Sequence, residues 1–225
     1  MAARDRRPQR VAEDAVVVDL MSGGRLEVGV GPGGNLTAFR AFGLDPNDRH
    51  VLMDRNLATL KTAWAGGELE GGDRLYPLSP GLNDRIWQAT FTVAGARRAG
   101  LAGDGLMLSR TQPRDPSNPK ASLGDIQNPM LDAYFEALPK GREPRILASR
   151  TVFVADDHKE AMRLAEVGLS RMRHRVAATG NLSSGNLVGD IIIAMDVHIG
   201  TPDEVIESLL ADTTLQRATD LTMQV

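Results

Sequence analysis

The sequence predicts an α/β protein built on a parallel sheet, and three observations predict it. Stretches of strand and helix character alternate along the chain, and parallel neighbours need crossover connections of that kind. Aromatic residues make up only 4 % of the 225 residues, so the core falls to Val, Leu, Ile, Ala and Met, the palette of buried parallel strands. No solenoid-type repeat and no break in composition marks a boundary, so residues 1–225 are read as one domain. A doubly wound sheet and a (β/α) barrel both fit this order.

The elements follow in order. Val11, Ala12, Ala15, Val16 and Leu20 recur at helical spacing, and Ser22-Gly23-Gly24 ends that helix. Leu26, Val28 and Val30 alternate as a strand that runs into Gly31-Pro32-Gly33-Gly34. Asp45-Pro46 opens a long helix with Leu52, Leu57, Leu60 and Trp64 on its apolar side. Ile86–Phe91 reads as a strand, Val93–Leu101 as a small Ala/Gly-rich helix and Gly105–Leu108 as an apolar strand. Arg110–Gly124, with Pro113, Pro116 and Pro119, has no periodicity and is expected to be a long mobile loop. Asp125–Leu138 is expected as a helix, Arg145–Val154 as a strand, and Asp157 to about Arg173 as a helix. A Gly/Ser/Asn-rich loop spans 177–189, and Asp190–Ala194 begins an apolar segment. Thr201-Pro202-Asp203-Glu204 starts a helix, and Thr219–Val225 reads as a final strand. The chain opens on a helix and closes on a strand with about five strands in all, so the expectation is an incomplete fold.

Composition narrows the function. Twenty-six Lys and Arg stand against 29 Asp and Glu, a net charge of −3 that argues against a nucleic-acid partner. The cluster Arg4, Arg6, Arg7 and Arg10 reads as a solvated tail. The absence of cysteine excludes disulfides, thiolate metal sites and cysteine nucleophiles. No apolar run approaches the ~20 residues that span a bilayer, and the charged N-terminus lacks a signal-peptide core, so a cytoplasmic protein without a membrane partner is expected. His50, His158, His174 and His198 share no metal-ligand spacing, and no metal site is expected.

Three places carry candidate chemistry. Gly29–Gly34 matches G-x-G-x-x-G after a strand. Pro32 interrupts it, no helix is read directly after it, and no acidic residue closes a second strand, so a tight turn is preferred to a dinucleotide site. Thr90-Phe91-Thr92-Val93-Ala94-Gly95 places two hydroxyls at a helix start free of bulky residues, where N–H groups and hydroxyls together favour an anion. Ser109-Arg110 follows an apolar strand, and the C-terminal strand ends of a parallel sheet face the site.

Arg10-Val11-Ala12-Glu13 followed by Asp19-Leu20-Met21-Ser22-Gly23-Gly24-Arg25 resembles the R-x-A-E and D-x-x-S-x-G-R of the luciferase-like flavin monooxygenase superfamily. Asn47-Asp48-Arg49, Ala63-Trp64, Ala102-Gly103-Asp104-Gly105-Leu106 and Gly200-Thr201-Pro202-Asp203-Glu204-Val205 resemble its further motifs in the same order. The resemblance implies a (β/α)8 TIM-type barrel of which about strands 4 to 8 are present. It implies an FMN-dependent monooxygenase that uses reduced flavin and O2 on an organic substrate, with F420 as the cofactor of other branches. A flavin reductase and a homo- or hetero-oligomer are the implied partners. Thr92 then stands at a phosphate-binding serine, with Thr90, Val93 and Gly95 completing the phosphate turn. Gly31 and Gly33 allow close flavin approach, and Arg110 takes the place of an aromatic residue near the ring. Pro32 and Phe91 depart from the arginine and glutamate found in bacterial luciferase. A non-catalytic or partner-completed fragment is the competing expectation.

Overall fold

A computed structural model of the chain describes residues 8–115, 117–118, 121–170 and 188–225. The chain divides into two compact units, Met1–Ala89 with Gly103–Gly105, and Thr90–Ala102 with Leu106–Val225.

In the first unit, α1 (Pro8–Ser22) leads to β1 (Val28–Val30), α2 (Leu36–Ala41) and α3 (Arg49–Trp64), with β2 (Ile86–Thr90) beginning there. β1 and β2 pair in parallel, Val28 opposite Ile86. The core is Ala12 and Val16 of α1, Leu57, Leu60, Ala63 and Trp64 of α3, and Leu75, Leu82 and Ile86. Trp64 is fully buried, and its indole N–H donates to the Ala12 carbonyl at 3.2 Å. The α1 face differs from the expected one. Val11 and Leu20 are exposed, and Asp19 is buried beside Ala12 and Val16.

Two helix starts also differ. Asp45 caps a single 3-10 turn, Pro46–Asp48, from which α3 continues. After the glycine turn, α2 stands where no helix was expected. Its six residues carry too little apolar periodicity to read, and the Asn35 carboxamide starts it by accepting from the amides of Thr37 and Ala38.

The second unit holds the end of β2, then α4 (Val93–Leu101), β3 (Gly105–Leu108) from Leu106 on, α5 (Leu123–Ala137), β4 (Ile146–Val154), α6 (His158–Ser170), α7 (Val188–Ala194), β5 (Val197–Gly200), α8 (Pro202–Leu210) and β6 (Asp220–Gln224). The helix reading beyond Ser170, the loop reading over 177–187, His174 and the first arginines lie outside the described residues.

β4 organises this unit. It pairs in parallel with β3 over Ile146–Ala148, with β6 over Leu147–Thr151 and with β5 over Thr151–Val154. Ala96, Ala99, Leu106, Leu108, Met130, Leu131, Tyr134 and Ile146 form the core between α4, α5 and the strands. A Cβ on Gly100 would come within 2.5 Å of the Tyr134 carbonyl oxygen, so only glycine lets α4 lie this close to α5. The capping box read at Thr201 is present, with Glu204 accepting from the Thr201 amide at 2.8 Å.

Candidate functional site

The strand β2 ends at Thr90, and α4 begins three residues later. Thr92 has extended backbone (φ −134°, ψ 149°), and its Oγ1 accepts from the Gly95 amide at 3.1 Å, which caps α4. Thr90 Oγ1 accepts from the Thr92 amide at 3.1 Å and lies 3.3 Å from Thr92 Oγ1. Each hydroxyl therefore accepts from the backbone; the Thr90 hydroxyl also donates to the Thr92 carbonyl at 3.5 Å, a long bond that a better acceptor at the turn can displace. Gly95 is part of the same cluster, because a Cβ there would overlap the Thr90 side chain. Thr90, Thr92 and Gly95 are thus brought together, with Phe91 and Val93 as exposed apolar neighbours. The donors are neutral, and the positive end of the α4 dipole supplies the field. This donor set fits a phosphate.

Arg110 follows β3, and its Nη1 donates to Thr151 Oγ1 on β4 at 3.1 Å. Gly31 and Gly33 belong to the other unit. A Cβ on Gly31 would meet Ala89 of β2 at 3.4 Å, so the turn runs close over that strand. Gly33 takes the left-handed φ of 80° with the Phe39 ring against it, so this position requires glycine.

Two charged networks escaped the sequence reading. In the first unit, Lys61 Nζ donates to both oxygens of buried Asp104 at 2.8 and 2.9 Å, and Gln88 Nε2 donates to Asp104 Oδ2 at 2.8 Å. In the second, fully buried Arg150 donates through Nε to Asp212 Oδ2 at 2.6 Å and through Nη2 to Gln127 Oε1 at 3.0 Å. Gln127 in turn donates to the Ser109 carbonyl at 2.7 Å, next to Arg110. A signal was there to find. Arg150 shares the buried register of β4 with Ile146, Ala148 and Val152, and a charge in that register demands a partner.

Burial would push Asp212 up, but the Arg150 hydrogen bond and charge, with the amides of Leu215 and Thr214, hold it below the ordinary carboxylate value. His198 Nδ1 lies 2.8 Å from Ser208 Oγ, and burial, reinforced by Arg150, lowers its imidazole below the ordinary value. Among the described residues no group of acidic and histidine side chains could hold a metal ion, and no helix is long and apolar enough to cross a membrane.

The sequence profile described as luciferase-like monooxygenase matches residues 3–217. The chain belongs to that family. A luciferase-like fold is borne out by solved structures. Monooxygenase RslO1 from Streptomyces bottropensis is 24 % identical with a TM-score of 0.72, the match covering 97 % of this chain and 67 % of that one. The oxygenating constituent of 3,6-diketocamphane monooxygenase from the CAM plasmid of Pseudomonas putida, solved in complex with FMN, is 18 % identical with a TM-score of 0.73, covering 100 % and 71 %. The coenzyme F420 dependent tetrahydromethanopterin reductase from Methanopyrus kandleri is 18 % identical with a TM-score of 0.62, covering 97 % and 73 %. No curated protein matches. The luciferase-like chain is accordingly a parallel (β/α) fold of the incomplete barrel type.

Proposed function

We propose that this chain is an FMN-dependent luciferase-like monooxygenase, acting with reduced flavin and O2 on a small organic substrate. The observation that carries the reading is the paired hydroxyls of Thr90 and Thr92 over the N-terminus of α4. Thr92 and Thr90 donate to the phosphate, and the α4 dipole offsets its charge. Gly95 leaves room for the Thr90 side chain, which keeps the Thr90 hydroxyl beside Thr92. Gly31 and Gly33 admit the flavin along the turn after β1, and Arg110 holds the ring or the substrate. Bound reduced FMN supplies the electrons for oxygen activation, and the protein's part is to hold, orient and shield. A flavin reductase supplies the reduced cofactor, the protein works in the cytoplasm as an oligomer, and residues 1–225 act as one domain.

Binding of F420 in place of FMN is the second reading, because F420-dependent proteins stand among the structural neighbours. Titration with FMN, reduced FMN and F420, followed by flavin absorbance and fluorescence, tests both. Saturable one-to-one binding of FMN supports the reading. Binding of F420 alone moves the assignment to the second. A folded chain that binds neither is a non-catalytic or partner-completed fragment.

A further inference from the structure

We propose that Arg114 and Asp196 form a clasp that fixes the loop after β3, and that both are positioning residues for Arg110 at its start. The role given to Arg110 rests on the flavin reading above. The clasp itself does not.

Between β3 and α5 the described residues, 109–115, 117–118 and 121–122, form no helix or strand. A loop of this kind ordinarily turns its polar groups to water. Arg114 does the opposite. Its side chain is only 4 % exposed, and its guanidinium reaches both oxygens of Asp196 at 2.7 Å. The same group donates to the carbonyls of Ala194 at 3.1 Å, Ala121 at 3.1 Å and Gln112 at 3.4 Å. One side chain therefore gathers the loop's near end, its far end and the turn after α7. This use needs the planar fork of arginine, which a lysine ammonium lacks.

Asp196 is held in an uncommon backbone conformation for this purpose. Among the described residues it is the non-glycine residue with positive φ, 51°. That region disfavours side chains other than Asn and Asp, and it persists only where surrounding contacts enforce it.

The register of the sheet connects the clasp to Arg110. Asp196 immediately precedes β5, whose first residue, Val197, stands opposite Thr151 of β4. Thr151 is the residue that accepts the hydrogen bond from Arg110. The loop is thus anchored at both Arg110 and Arg114 to one rung of the sheet. Loosening Arg114 frees the loop from one side of that rung and lets Arg110 leave the other.

Hydrogen exchange on the 225-residue chain without ligand tests the clasp. Asp196→Asn keeps the shape and the tolerance of positive φ but removes the charge and one acceptor. Arg114→Lys keeps the charge and removes the fork. Amides of residues 109–115 are expected to exchange at least about tenfold faster in Asp196→Asn and to an intermediate degree in Arg114→Lys, with α4 unchanged in both. Unchanged exchange of 109–115 in folded Asp196→Asn overturns the clasp.

The positioning role is read from FMN affinity. Asp196→Asn is expected to weaken FMN binding several-fold, and to add nothing in an Arg110→Ala background. Additive losses, or no loss in a variant whose loop exchange has risen, overturn the positioning role. If the unaltered chain binds no FMN, the flavin reading fails, and the clasp is decided by exchange alone.

Discussion

Arg85 grips Asp19 with both terminal nitrogens, Nη1 to Oδ1 at 2.6 Å and Nη2 to Oδ2 at 2.9 Å. The pair closes the end of α1. Ser79 Oγ donates to Asp19 Oδ2 at 2.8 Å, and the Leu26 amide donates to Oδ1 at 3.3 Å just ahead of β1. Ser22 Oγ donates to the Asp19 carbonyl at 3.0 Å, the Arg25 amide donates to Ser22 Oγ at 3.2 Å, and Gly23 and Gly24 take left-handed φ of 67° and 80° between them. The D-x-x-S-x-G-R stretch is therefore a helix stop that aims β1. Its residues hold the end of α1 to the start of β1.

The grip predicts an acid-sensitive fold. The Arg85 hydrogen bond, against the cost of burial and with help from Ser79 and Leu26, holds Asp19 at about 2. A carboxyl lowered in the folded state stabilises above its ordinary value of 3.8, and that stability drains away as pH falls toward about 2. Asp19→Asn leaves Arg85 without its counter-charge and is expected to cost about 3 kcal/mol at pH 7. Its stability should also fall less steeply below pH 4 than that of the unaltered chain. Urea unfolding at pH 7 and pH 3 measures both. An unchanged midpoint at pH 7 would show that the pair contributes nothing.

Thr92→Asp separates helix capping from anion binding. Aspartate caps helices as well as threonine does and suits the positive end of the dipole, so stability should stay within about 0.5 kcal/mol. A negative charge placed where the phosphate must sit should weaken FMN binding at least about tenfold, which is about 1.4 kcal/mol. Isothermal titration beside a thermal melt reads the two effects. An unchanged FMN dissociation constant in a chain that binds FMN removes Thr92 from the site.

Gly95→Ala sets two effects against each other. Alanine is the better helix former by about 1 kcal/mol. Its Cβ, however, would overlap Thr90, and both residues are buried. Overpacking of that kind costs about 1–3 kcal/mol, so the variant should lose stability and should bind FMN less well as Thr90 is displaced. A more stable variant would mean that the Thr90 side chain moves aside freely.

What the sequence makes legible is local. Thr92 ahead of Val93 starts α4 and Thr201-Pro202 starts α8, both at the residues expected, because a cap is a bond within three residues of chain. The apolar run of β3 needs no partner to be recognised. Of the candidate site, the turn of Thr90, Thr92 and Gly95 is legible for the same reason. Arg85 with Asp19 and Arg150 with Asp212 are separated by 66 and 62 residues, and nothing near either residue names its partner. The clasp is hidden in the same way, since Arg114 and Asp196 are 82 residues apart. The α2 helix was missed because a six-residue turn rests on one cap rather than on a periodic face.

Arg150→Met should flatten part of the pH dependence of stability. With Arg150 present, Asp212 lies below the ordinary carboxylate value, so it stabilises at neutral pH and that contribution is lost on acidification. Without Arg150, burial still pushes Asp212 up, and only the amides of Leu215 and Thr214 hold it down. Asp212 should therefore rise, and less stability should be lost on acidification than in the unaltered chain. His198 reports the same change from the other side, since burial and Arg150 lower it while Asp212 raises it. Removing Arg150 should therefore move the His198 imidazole upward toward its ordinary 6.5, visible in an NMR titration of the ring protons. A His198 value that stays put or falls in a folded Arg150→Met chain would mean that burial alone sets it. Asp212→Leu added to Arg150→Met should recover most of the loss at pH 7, because a buried ion pair exchanged for apolar side chains is often neutral or better.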